Sequence, residues 1–123
     1  MRLEGNFYTL LNVERQETNA AIFHIALCPE SDIYRGHFPG NPVCPGVCNM
    51  QMIKECVESL TGKRLHASYV KQCRLTAVAT PAICPKLDVK IGVQSTDDAN
   101  YTVVASIYDS QRIYMDYKGE MTV

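Results

Sequence analysis

His37 lies in a stretch where Pro29, Pro39, Pro42 and Pro45 fall together with Gly36, Gly40 and Gly46. An imidazole with a near-neutral pKa accepts one proton and delivers another at working pH, which suits acid–base chemistry. Proline fixes φ and pushes the preceding residue towards extended conformations, so His37-Phe38-Pro39 and Asn41-Pro42 read as defined bends. Structured loops of this length in compact domains usually carry function. A helical pattern follows at once, and the first turn of a helix has unpaired N–H groups and positive partial charge. At Gly46, those N–H groups suit an oxygen on which negative charge develops. Cys48 sits in the same turn, where a thiolate would be stabilised. Further along, Gln51 and Glu55 are four residues apart and share a helix face, with Cβ atoms about 5–6 Å from each other.

The flanking sequence supplies the elements that must position these groups. From Asn6 to about Cys28, strand formers predominate, and Phe23, Ile25 and Leu27 alternate with Ile22, His24 and Ala26. Two strands fit there, with a break near residues 15–19. From Val47 to Leu60 there is no proline or glycine, and Met50, Ile53, Val57 and Leu60 recur at helical spacing. Cys48, Met52 and Cys56 widen the apolar surface, so the helix is expected to be mostly buried, with Gly62 as its C-terminal cap. Lys54, Glu58 and Lys63 mark its wetter side and its end. Four strand-like runs follow, His66 to Val78, Lys86 to Gln94, Tyr101 to Tyr108 and Arg112 to Met121, the last three joined by hairpin turns at residues 96–100 and 109–111. Two strands, one buried helix and four strands predict a single α+β domain over residues 1–123, with about six antiparallel strands packed around one long helix. One helix cannot cover both faces of such a sheet, and the uncovered edge or face predicts pairing with a second copy.

Composition narrows the classes. Twelve Lys and Arg against thirteen Asp and Glu leave a net charge of -1. Neither a basic stripe for phosphate backbones nor an acidic tail is present, so nucleic acid is not expected as a partner. No apolar run approaches the roughly 20 residues that span a bilayer, and no signal peptide is visible at Met1 to Asn6, so a cytoplasmic location is expected. Six cysteines in a reducing compartment are expected to be free and mostly buried.

The segment from Gly36 to Val47 resembles the signature of 3-hydroxyacyl-acyl-carrier-protein dehydratases of the hotdog fold. The pattern His-Phe-Pro-Gly-x-Pro-x-x-Pro-Gly-Val is matched without gaps by His37, Phe38, Pro39, Gly40, Pro42, Pro45, Gly46 and Val47, and it leads directly into a helix. The resemblance implies loss of water from a 3-hydroxyacyl thioester to give a trans-2-enoyl thioester, in fatty acid, lipid or polyene synthesis. His37 matches the base that removes the α-proton, and Gly46 matches the residue whose N–H polarises the thioester carbonyl. Phe38, Pro39, Gly40, Val47 and Cys48 match positions that line the substrate path. The substrate would arrive on the phosphopantetheine arm of acyl carrier protein, with no metal or soluble cofactor. The family site lies at a dimer interface, with the histidine and the helix acid from different subunits, so a homodimer or higher homo-oligomer is implied.

The chain departs from the pattern at the partner acid. Fourteen residues after the histidine the family has Glu or Asp, and here the residue is Gln51. One turn later the family commonly has glutamine, and here the residue is Glu55. An amide does not exchange a proton at neutral pH, though it can hydrogen-bond a substrate hydroxyl. Glu55 is therefore a candidate substitute acid, and a glutamate paired with a base or facing solvent is the structural alternative. Two other functions stay open at this point: a weakened or inactive subunit that binds acyl thioesters or an active partner, and a hotdog thioesterase. A zinc site at Cys44, Cys48, Cys56 and His37 lacks the second close ligand pair. A nucleophilic Cys48 competes with that residue's role as a small apolar packing group.

Overall fold

The computed structural model describes residues 2–36 and 44–123. His37, Phe38, Pro39 and Gly40 lie outside these residues. Within them the elements are β1 (Tyr8–Glu17), β2 (Ala20–Leu27), α1 (Ile33–Gly36), α2 (Gly46–Thr61), β3 (His66–Leu75), β4 (Lys86–Ser95), β5 (Asn100–Tyr108) and β6 (Ile113–Thr122). The six strands form one antiparallel sheet in the order β1-β2-β4-β5-β6-β3.

Alternation decides which face of the sheet is covered. Leu87, Val89, Ile91 and Val93 of β4 are buried, as are Phe23 and Ile25 of β2 and Val103 and Ile107 of β5. Side chains with a period of two all reach one face, and α2 lies there against β2, β3 and β4. The helix buries Cys48, Asn49, Met52, Ile53, Glu55, Cys56 and Val57. It ends as expected at Gly62, whose φ of 72° is left-handed and whose N–H donates to the Glu58 carbonyl at 2.8 Å.

Four sequence expectations change in detail. The proline-rich stretch holds the single turn α1 at Ile33–Gly36. The break between β1 and β2 narrows to Thr18 and Asn19, and β3 ends at Leu75, short of Val78. The six cysteines are free, but Cys73 is exposed and Cys28 half-buried, because both lie on or beside edge strands that nothing covers. The two hairpin turns lie where expected. Asp97 accepts from the Ala99 and Asn100 N–H groups, and Asp109 from those of Gln111 and Arg112.

The crossover from β3 to β4 is what sets the start of α2. Along it, the Ala79 carbonyl accepts from the Cys44 N–H at 2.8 Å, and the Tyr34 hydroxyl of α1 lies 3.4 Å from the Cys44 thiol. The helix thus begins from a backbone held by two other parts of the chain.

Candidate active site

Pro45 caps α2 in an extended conformation with φ -63° and ψ 143°. Its carbonyl accepts the first intrahelical bonds, from Cys48 and Asn49 at 3.0 and 3.1 Å. Gly46 and Val47 come before those donors, the N-cap proline makes no side-chain cap bond, and the first turn contains no acidic residue. The positive end of the helix is therefore not neutralised by an acid of its own first turn. A Cβ added at Gly46 would stand 3.2 Å from a methyl group of Leu75, so the helix start runs close against the end of β3. Val47 is 68 % exposed. Cys48 is buried, and that burial raises its thiol above the usual range, so its place in the first turn does not make it a ready thiolate.

Among the described residues Glu55 meets no base, and it does not face solvent. It is 2 % exposed, and four neutral donors take its carboxylate. Oε2 accepts from the Leu3 N–H at 2.7 Å and from Gln51 Nε2 at 3.0 Å. Oε1 accepts from the Glu4 N–H at 3.0 Å and from the Tyr8 hydroxyl at 2.9 Å. A carboxylate has about four acceptor positions, so this one is filled. Burial, with Cys56 and Glu55 adding to it, holds the Tyr8 phenol far above its usual range and keeps it a donor. Burial also pushes the neighbouring Cys56 thiol up to about 12.

Two cavities meet at Gln51. One, of about 360 Å³, has apolar walls from Val47, Met50, Ala67, Tyr117 and Met121 and is edged by Lys54 and His66. The other, of about 590 Å³, is lined by the basic side chains Arg2, Lys54, Lys63 and Arg64, by His66, and by Glu55 and Glu58. Glu58 is committed to the Leu65 N–H at 2.9 Å.

The structure thus gathers Gly46, Val47, Gln51 and Glu55 along one helix, while Cys48 turns into the core. Sequence reasoning missed three participants. Leu3, Glu4 and Tyr8 reach Glu55 from a turn more than forty residues away, and no local pattern marks that contact. Asn49 is 1 % exposed, and its Oδ1 has no hydrogen-bond partner among the described residues. Its one legible signal was an amide inside an otherwise apolar helical stripe. His24, between Asp88 at 2.6 Å and Glu14 at 3.2 Å, lies on the far face of the sheet from α2.

A family model for ApeI-like dehydratases, described as ApeI dehydratase, matches residues 13–113. The chain belongs to this family. The 3-hydroxyacyl-acyl-carrier-protein dehydratase FabZ of Lactiplantibacillus plantarum is 25% identical over 120 residues, covering 89% of this chain and 82% of that protein. FabZ of Levilactobacillus brevis is 26% identical over 83 residues, covering 62% of this chain and 56% of that protein. Among solved structures, the dehydratase heterocomplex ApeI:P from Xenorhabdus doucetiae superposes with a TM-score of 0.73 at 19% identity, covering 94% of this chain and 97% of that one. A hypothetical thioesterase with coenzyme A from Streptococcus pneumoniae gives a TM-score of 0.64 at 8% identity, covering 94% and 84%. These neighbours share the fold, which is the hotdog fold anticipated from the sequence. The ApeI-like family and the FabZ relatives make this a 3-hydroxyacyl-acyl-carrier-protein dehydratase-like protein at the level of the family.

Proposed function

We propose that this ApeI-like chain removes water from a 3-hydroxyacyl thioester carried on acyl carrier protein, using His37 as its one titrating catalytic group. The observation that carries the reading is the placement of Gly46 at the first turn of α2, behind an N-cap proline that makes no side-chain cap bond, with Gln51 on a cavity wall five residues later. Five helical residues advance about 7.5 Å, a span within reach of a thioester carbonyl and its β-hydroxyl. In this reading the Gly46 N–H binds the thioester oxygen as enolate charge develops. The His37 imidazole takes the α-proton, the electron pair forms the Cα=Cβ bond, and the Cβ–O bond breaks. The imidazolium then returns its proton to the departing hydroxyl, so protons balance without a second acid. Gln51 orients the hydroxyl by hydrogen bonding and does not titrate.

Phe38, Pro39, Gly40 and Val47 would line the path of the acyl chain, and no metal or soluble cofactor is needed. Two copies of the chain would pair so that His37 of one faces Gln51 of the other. A second reading has one specific observation in its favour: the family acid is an amide here. In that reading the chain is a non-catalytic subunit that binds acyl thioesters or completes the site of an active partner.

The test is incubation of the pure protein with a 3-hydroxyacyl-carrier protein while following enoyl product and free thiol. Enoyl formation that disappears in His37→Ala supports dehydration. Thiol release points to thioester hydrolysis. Neither product, with dehydration appearing on addition of a second hotdog subunit, supports the partner role and overturns the first reading.

A further inference from the structure

The apolar cavity and the cationic cavity are continuous, because Lys54 and His66 line both. They follow one another along α2. The apolar one touches the helix from Val47 to Lys54, and the cationic one reaches on to Gly62 at the helix end, so the cations lie further from Gly46. Among the described residues the ion pairs are those of His24, on the far face of the sheet. Arg2, Lys54 and Arg64 therefore line the second cavity without a carboxylate partner. Its acids are already committed: Glu55 takes the Leu3 and Glu4 N–H groups and the Tyr8 hydroxyl, and Glu58 takes the Leu65 N–H. Lys63 is engaged as well, donating to the Asp98 carbonyl at 2.8 Å with its ammonium 5.5 Å from the centre of the Tyr101 ring.

A hollow with two unpaired guanidinium groups and an unpaired ammonium attracts an anion, and arginine in particular takes a carboxylate through two parallel N–H bonds. Continuity with apolar walls adds a second requirement, that the anion be carried on a hydrocarbon chain. With the thioester oxygen at the Gly46 N–H, two parts of the substrate could enter the apolar cavity. The pantetheine arm carries amides, which apolar walls leave unpaired at a cost, whereas the acyl chain carries none. The acyl chain thus fills that cavity, and its far end meets Lys54 and Arg64. Lys54 lies eight residues along the helix from Gly46, an advance of about 12 Å. Three bonds of an extended chain span about 3.3–3.6 Å, so about ten bonds cover the distance.

We propose that the cationic cavity is a subsite for an anionic end of the acyl chain, so that the preferred substrate is an acyl thioester of about ten carbons that ends in a carboxylate. The direction of the chain rests on the proposed dehydratase reading, whereas the preference itself is testable without turnover.

The experiment uses the full chain and two saturated acyl-pantetheine thioesters of about ten carbons, one ending in a methyl group and one in a carboxylate. Neither carries a phosphate, so the carboxylate is the single anion that differs. Calorimetry at low salt should show the carboxylate-ended ligand binding about tenfold tighter or more, with a preference that shrinks as salt rises. In Lys54→Gln with Arg64→Gln the two affinities should come within about twofold of each other. In turnover, the matching 3-hydroxyacyl thioesters should show the same order in kcat/KM. Equal affinities in the wild type, tighter binding of the methyl-ended ligand, or binding of neither overturns the proposal, whether or not the variant folds. So does a carboxylate preference that survives in the folded double variant. If the variant instead weakens both acyl ends equally, and only when the arm carries its phosphate, the cations hold the carrier arm and the proposal fails. Absence of turnover with either substrate refutes the dehydratase reading alone, and the calorimetry still decides this one.

Discussion

An amide at position 51 and a carboxylate at 55 make sense as a pair, because exactly one of two groups in hydrogen-bond contact has to be the donor. Gln51→Glu would replace the donor to Glu55 Oε2 with a second carboxylate at about the same 3.0 Å. Two carboxylates that close cannot both ionise freely, so the pair should hold one proton at pH values where ordinary glutamates have none. The sign follows from linkage: a carboxyl whose folded pKa is raised loses stability as pH rises through that value. Gln51→Glu is therefore expected to be less stable than wild type at pH 7 by roughly 1–3 kcal/mol, the cost of an unsatisfied buried partner. The gap should narrow towards pH 5, and adding Glu55→Gln should close it at pH 7. Urea unfolding of the three proteins at both pH values checks this, and a Gln51→Glu gap independent of pH would refute it. The sequence showed the exchange of the two residues but not its reason, because every donor to Glu55 other than Gln51 comes from Leu3, Glu4 and Tyr8, beyond the reach of helical periodicity.

At the scale of elements, periodicity carried most of the information. The β4 alternation and the three-four-three spacing of α2 are consequences of burial against one another, so both were visible in the chain. Edge strands carry a weaker signal. β3 is exposed along nearly its whole length, and its end was misplaced by three residues because apolar Leu75 and Val78 both stay in solvent. Polar pairs across strands leave no periodic trace at all. His24 on β2 stands opposite Asp88 on β4, with Glu14 of β1 on its other nitrogen, and the hydrogen bond to Asp88, then that to Glu14, raise its pKa above the usual 6.5. Tyr108 of β5 flanks Asp88 in the same row. A raised folded pKa means that the stabilisation is fully present below about pH 6.5 and is lost as pH climbs through the folded value. A His24→Asn variant should accordingly lie furthest below wild type in thermal midpoint near pH 6 and approach it by pH 9. A difference that grows with pH would show that neutral His24 is the favoured form, contrary to this geometry.

For the whole molecule, the two open edges of the sheet are not equivalent. β1 exposes Leu10 and Leu11 but also presents Glu14, Arg15 and Glu17 and is broken by register shifts at Leu10/Asn12 and Arg15/Glu17, and the charges help to blunt that edge. β3 also carries bulges, yet it presents Tyr69, Val70 and Leu75 to solvent. It also borders the apolar cavity where Val47, Gln51 and Tyr117 meet. Exposed apolar residues beside a polar site suit a surface that a second copy would cover in the proposed dimer. A net charge of -1 gives little long-range repulsion between copies. If two copies pair along β3, their Gln51 residues come near the shared edge, where the resemblance to the dehydratases calls for His37 from the other subunit. Tyr69→Lys with Val70→Lys is then expected to convert a dimer to a monomer in sedimentation and to abolish any dehydration at the same time. Leu10→Lys with Leu11→Lys on β1 is expected to change neither. Both measurements are needed, because a monomer that still turns over would place the whole site within one chain, and a β1 variant that dissociates would put the interface on the opposite edge.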